Sequence, residues 1–167
     1  MIEHRDGDIF EQTDLDGMAH QANCYHTFGS GIARVIREKF PTIYEADCNQ
    51  TKYGDMGKLG TFSSNAITLD CGTEWEIFNV YGQGGYGKRN SGGRDTNYDA
   101  LYDGLVAVRM EIDEQVYIEQ MFDHYKLGIP HGIGSCLGGG SWRVVEAMLY
   151  DIFEELEKVT CVIVKLP

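Results

Sequence analysis

Residues 18–41 read MAHQANCYHTFGSGIARVIREKFP, and this pattern decides the fold of the chain. Met18 to Ala22 is a short, mostly apolar run ending in Asn23, as a buried strand would be. Cys24 to Phe28 is a polar loop, and Gly29 and Gly31 then flank Ser30. Beyond them Ile32, Val35, Ile36 and Phe40 recur at helical spacing until Pro41. Strand, glycine turn and helix in this order bring free backbone N–H groups and the positive end of a helix dipole to one point. A phosphate can be held there without a lysine. The same pattern also serves as a tight connection with no ligand, so one glycine turn leaves both readings open.

A second stretch repeats the arrangement. Leu127 to Pro130 reads as a strand end, followed by His131, Gly132, Ile133, Gly134, Ser135, Cys136, Leu137, Gly138, Gly139, Gly140 and Ser141. Trp142, Val145, Met148, Leu149, Ile152, Phe153 and Leu156 then mark an amphipathic helix, with Ser141 placed as its N-cap. Two glycine loops, each leading from a strand into a helix, are what a diphosphate gripped from both sides needs. Neither is a standard nucleotide fingerprint: no Gly-Lys-Ser or Gly-Lys-Thr ending occurs, and the first loop lacks Gly-x-Gly-x-x-Gly.

The bulk properties restrict the function further. A chain of 167 residues suits one domain, 1–167, with a real core. Its 26 acidic residues against 14 basic ones give a formal net charge of -12, which argues against a general nucleic-acid-binding surface. A bound anion must then be held by local N–H groups and dipoles against the overall field. The five cysteines are odd in number and dispersed, with no Cys-x-x-Cys pair, so neither a disulfide framework nor a structural zinc site is expected. No clustered ligand set suggests a metal, and no cofactor is expected. With no apolar run of membrane-spanning length and a charged start, MIEHRDGD, the chain reads as cytoplasmic, with no membrane partner.

In chain order, Met1 to Arg5 reads as an edge strand leading into Gly7-Asp8-Ile9-Phe10, where Asp8 by itself is a turn former. Thr13 to Gly17 is a polar turn. A short helix after Pro41, through Tyr44 and Ala46, precedes the loop Tyr53 to Gly57. Leu59 to Leu69 and Glu76 to Tyr81 read as strands joined by the turn Asp70-Cys71-Gly72-Thr73. Gly82 to Asn97 is glycine-rich and carries Lys88, Arg89 and Arg94 as a local positive cluster; it is either a cover over a site or a plain connection. From Tyr98, Leu101, Leu105, Val108 and Ile112 mark a helix that continues or restarts through Val116 to Phe122, and Val159 to Lys165 closes as a strand. The alternation predicts a layered α/β sandwich around a mixed sheet.

Taken together, these stretches resemble the macro domains, a family that binds ADP-ribose. The resemblance is carried by Gly7-Asp8-Ile9-Phe10, His20-Gln21-Ala22-Asn23, Gly29-Ser30-Gly31-Ile32-Ala33, Asn79-Val80-Tyr81-Gly82-Gln83 and Ile133 to Trp142, in the family's order. In character it is nearest to the yeast-type ADP-ribose 1''-phosphate phosphatase and the small deacylase-like macro domains. It implies a three-layer α/β/α sandwich with a central mixed sheet. It also implies that Asp8 accepts a hydrogen bond from the adenine amino group, that the Ile9 N–H reads the ring, and that Asn23 bonds the distal ribose. Gly29, Ser30, Gly31 and Ile32, with Gly134, Ser135, Cys136, Leu137 and Gly138, are the expected diphosphate loops, and Gln83 is a further expected ligand contact. A lone His is more often a packed core residue. His20 nevertheless stands where the yeast-type phosphatase has a His, so it is the candidate acid or base.

Departures from the family narrow the expected chemistry. Deacylase-like relatives have a Lys after the central strand and an Asp in the second glycine loop; the corresponding positions here are Gln83 and Gly138. Mono-ADP-ribosyl hydrolases have an Asp after the first loop, where this chain has Ala33, and the acidic pair of poly-ADP-ribose glycohydrolases is missing. The function implied is binding of ADP-ribose and hydrolysis of ADP-ribose 1''-phosphate to ADP-ribose and phosphate. A non-catalytic reader or scavenger of ADP-ribose or related NAD-derived signals, and removal of ADP-ribose from modified macromolecules, are the alternatives.

Overall fold

The computed structural model describes residues 1–167, with Arg89 and Asn90 described by backbone alone. Arg89 of the expected positive cluster therefore lies outside the described side chains. The elements in order are β1 (Ile2–Asp6), β2 (Gly17–Asn23), α1 (Gly31–Lys39), α2 (Pro41–Gln50), β3 (Phe62–Thr68), β4 (Glu74–Gln83), α3 (Tyr98–Asp113), β5 (Tyr125–Pro130), α4 (Trp142–Phe153) and β6 (Val159–Lys165). The six strands form one sheet in the order β1-β6-β5-β2-β4-β3. Neighbours are parallel except β3 and β4, whose connecting turn is short enough only for an antiparallel pair.

Alternation along the strands supplies two cores. Ala19, Phe78, Val80 and Ile129 pack with Leu101, Leu105 and Val108 of α3 and Val145 and Leu149 of α4. Met18, Trp75, Ile77 and Val162 pack with Phe28, Ile36 of α1 and Ile43 of α2. The result is three layers, α/β/α, with a mixed central sheet. Because five strands run parallel, their C-terminal ends share one rim of the sheet, where the connecting loops gather into a crevice.

Helix ends follow local chemistry. Asn97 caps α3, its Oδ1 accepting from Ala100 N at 3.1 Å. Ser141 stands at the N-cap of α4, but its hydroxyl makes no cap bond; its backbone N instead donates to Tyr98 Oη at 2.7 Å. α3 passes into a single π turn, Glu114–Ile118, so the helical reading through Phe122 stops at Ile118. Leu156, expected on α4, lies beyond the helix end at Phe153 yet still packs on the core. Among the described residues, no helix is long and apolar enough to cross a membrane.

Candidate functional site

A cleft of about 930 Å³ opens along the C-terminal rim. This is near the upper end of the ~300–1,000 Å³ usual for small-molecule sites. At one end lie Gly7 to Phe10 and the last residues of β6, Val164 and Lys165; at the other lie Gln21, Asn23, Thr27, Gln83 and Tyr86. The two glycine loops form the middle.

Ser30 is the N-cap of α1 without a side-chain cap bond, and Gly31 follows with φ +56°. Such a φ suits glycine, and the first N–H groups of the helix have no intrahelical acceptor. Gly31, Ile32 and Ala33 line the cleft at this point. In the second loop Gly132, Gly134 and Gly139 take positive φ, and the chain folds on itself through Ser135 N to Gly132 O (2.9 Å) and Gly140 N to Gly134 O (3.0 Å). The loops approach closely: a Cβ on Gly31 would stand 3.1 Å from Leu137 Cδ1.

Of the expected ligand residues, Asp8, Ile9, Asn23, Ser30, Gly31, Ile32, Gln83, Gly134, Cys136, Leu137 and Gly138 all line the cleft. Gly29 and Ser135 do not. Gly29 is exposed with only Thr27 near its Cβ direction, and the Ser135 hydroxyl turns back to Gly132 O at 3.0 Å. Asp8 Oδ1 accepts from Phe10 N at 3.0 Å, the turn-forming use that its position beside Gly7 suggests, while the residue still faces the cleft. Asn23 likewise serves its loop. Its Nδ2 donates to Thr27 O at 2.9 Å and its Oδ1 accepts from Tyr25 N at 2.9 Å, so it holds the wall of the cleft in shape.

His20 is placed differently from the expectation. It is absent from the cleft lining and fully buried on the opposite face of β2, its ring edge-on to Phe28 at 5.4 Å. Asn79 gives its Nδ2 protons to Ile43 O and Ser63 Oγ, so Asn79 Oδ1 must accept from His20 Nε2 at 2.7 Å. The ring is thus the neutral Nε2–H tautomer, with Nδ1 unpartnered. Burial lowers its pKa against the raising effects of Asn79, the Gln21 backbone and Asp47. A buried imidazole turned from the cleft cannot pass a proton to a ligand there, so the acid or base role does not fit His20.

The hydrogen bonds continue from Asn79 through Ser63 to Tyr81 Oη (2.6 Å) and on to Asp47 Oδ1 (2.6 Å). Asp47 is fully buried, with Lys58 Nζ at 3.6 Å and His26 Nε2 at 3.7 Å. Lys58 Nζ also donates to Thr51 Oγ1 at 2.9 Å and sits 4.5 Å from the Tyr81 ring centroid. Burial, then the Asp47 contact, pushes the Tyr81 phenol up. This cluster braces the loop after β2 from behind, through His26 Nε2 and Thr51 Oγ1 at 3.0 Å.

Residues absent from the expectation include Gln21, Thr27, Tyr86, His131 and Lys165 in the lining. Gln21 was legible in principle, because a period of two sets it on the same face as Ala19 and opposite His20. In the Gly82 to Asn97 segment, Tyr86 and Gly87 line the cleft, Gln83 bridges to Thr96, and Arg94 lies 4.1 Å from the Tyr98 ring centroid. The start of the segment, Gln83 to Gly87, is thus part of the site's wall. Among the described residues, no three His, Cys, Asp or Glu side chains gather as a metal site.

No family model matches the chain. An uncharacterized 17.5 kDa protein of Enterobacteria phage T4 is 32% identical over 142 residues, covering 85% of this chain and 83% of the phage protein. An ADP-ribose 1''-phosphate phosphatase of Aspergillus clavatus is 38% identical over 50 residues, 28% of this chain and 25% of that protein. Among solved structures, the macrodomain of Mycobacterium tuberculosis DarG superposes with a TM-score of 0.71 at 20% identity, covering 98% of this chain and 97% of that one. Thermosipho africanus DarTG in complex with ADP-ribose gives 0.65 at 17% identity, covering 96% of this chain and 40% of that one. The architecture is that of a macrodomain. The chain has the macrodomain fold and belongs to one family with the uncharacterized phage T4 protein, a relative over most of its length.

Proposed function

We propose that the cleft binds ADP-ribose. Adenine would lie against Asp8, Ile9 and Phe10, the diphosphate between the two glycine loops, and the distal ribose beside Asn23, Gln21 and Gln83. The observation that carries this reading is that both glycine loops line one cleft and approach closely enough for the Leu137 side chain to reach Gly31. Backbone N–H groups and the α1 dipole can hold a diphosphate there despite a net charge of -12. A crystal structure with ADP-ribose tests the placement: the adenine is expected at Asp8, and a ligand bound elsewhere would refute it.

The similarity to fungal phosphatases favours a second reading, in which the bound ligand carries a 1''-phosphate that water displaces to give ADP-ribose and phosphate. Gln21, Asn23, Thr27, Gln83 and Tyr86 at the distal end offer amides and hydroxyls. Any acceleration would then come from placing the water and the phosphate, with no imidazole at hand. Phosphate release from ADP-ribose 1''-phosphate by the purified protein tests it. Uncatalysed monoester hydrolysis is so slow that even modest turnover would be decisive, and none would leave a binder.

A further inference from the structure

We infer that Thr96 is the positioning residue of the second glycine loop, and that its single hydroxyl, acting through Gln21, also orients the amide of Gln83 toward the ligand. The inference rests on the ADP-ribose reading of the cleft. Thr96 is buried below the cleft and is not part of its lining. Its backbone N donates to Gly138 O at 3.0 Å, next to Asp95 N at 2.9 Å on the same carbonyl, and its hydroxyl donates to Gly134 O at 2.6 Å. Two carbonyls of the loop are therefore turned inward and tied to one residue, and Gly134 and Gly138 line the cleft above it. A Cβ on Gly138 would fall 2.2 Å from Thr96 Oγ1, so the hydroxyl is packed directly against the Gly138 backbone.

The same hydroxyl settles which way the two amides point. A threonine has one proton to give, and here it goes to Gly134 O, not to Gln21 Oε1 at the longer 3.3 Å. Thr96 Oγ1 then accepts from Gln21 Nε2 at 2.9 Å. The other Nε2 proton of Gln21 goes to Gln83 Oε1, which turns the Gln83 amide so that its Nε2 donates to Gly85 O at 2.8 Å. Gln83 keeps a second N–H for a ligand oxygen. One buried hydroxyl thus couples the loop at the diphosphate to the amides at the distal ribose, and it touches neither part of the ligand.

The test compares Thr96→Val, which keeps shape and loses the hydroxyl, with Thr96→Ser, which keeps the hydroxyl. Affinities for ADP-ribose and adenosine are measured by calorimetry, and amide exchange of residues 132–140 is followed without ligand. Thr96→Val should weaken ADP-ribose by about tenfold or more and adenosine less than about twofold, while Thr96→Ser stays within about threefold of wild type. Loop exchange should quicken in Val and not in Ser. Equal losses in both variants, equal losses for both ligands, or wild-type behaviour of Thr96→Val would overturn the inference. If Thr96→Val does not fold, Gln21→Met severs the same hydroxyl from the glutamine pair; it should weaken ADP-ribose by about tenfold, and unchanged affinity would overturn the inference. Failure of the wild type to bind ADP-ribose would sink the functional reading alone, because loop exchange reports on Thr96 without any ligand.

Discussion

Gln21 and His20 are neighbours on β2 and lie on opposite sides of the sheet: Gln21 lines the cleft, while His20 is sealed between Asn79 and Phe28. The chemistry of the site is therefore read from residues 21 and 23, and the imidazole belongs to the core.

A substitution at His20 should follow from that division. His20→Gln can still donate to Asn79, so the fold should survive with a loss of ~1–3 kcal/mol from imperfect packing. Ligand affinity and any phosphate release should stay within about threefold of wild type. A loss of turnover of about a hundredfold with binding intact would restore a catalytic role to this residue.

Acid should weaken the fold in a defined window. Burial lowers the His20 pKa below 6.5, and burial likewise lowers that of His26, against the raising charge of Asp47 and with that of Lys58. Below about 6.5 the unfolded chain binds protons that the folded chain resists, so stability is kept above that pH and lost as pH falls toward the folded values. Urea midpoints at about pH 7.5 and about pH 5.5 should differ in that direction, and His20→Gln should shrink the difference. An unchanged difference in the variant would mean that His20 contributes nothing to it.

Much of the architecture was legible because burial imposes period on the chain. The apolar run Met18 to Ala22 and the spacing of Leu101, Leu105, Val108 and Ile112 both became core contacts of the kind expected. Motif position is a poorer guide than period: Gly29 and Ser135 sit inside the glycine loops yet stay out of the cleft lining, and His20 matches a family position although a period of two sets Gln21, not His20, toward the cleft. Thr96 and Lys58 were invisible for another reason. Their partners, Gln21 and Gly134 for one and Asp47 and Tyr81 for the other, are brought close only by the sheet order.

Gly138 should tolerate no side chain at all. The added atom would meet Thr96 Oγ1 at 2.2 Å and Gly134 O at 2.8 Å, so steric conflict acts before any charge does. Gly138→Ala should already abolish most ADP-ribose binding and lower the melting temperature, without the like charge that Gly138→Glu would add. Wild-type binding in Gly138→Ala would show that the loop can shift freely.

The buried cation behind the first loop should be costly to remove. Lys58→Met would leave Asp47, whose Oδ2 already lacks a partner, as a buried charge without its lysine, at a cost of ~3–5 kcal/mol. Adding Asp47→Leu to Lys58→Met should recover part of that loss, as urea unfolding of both variants would show. No recovery would mean that the carboxylate matters more for its bond to Tyr81 than for its charge.

If one cleft holds adenine, diphosphate and distal ribose on separate elements, calorimetric titration of the purified protein with ADP-ribose and with AMP should separate the two ligands. ADP-ribose should bind at least about tenfold more tightly than AMP, because only the longer ligand would reach the second phosphate position and Asn23. Equal affinity for the two ligands, or no binding of ADP-ribose, would contradict it.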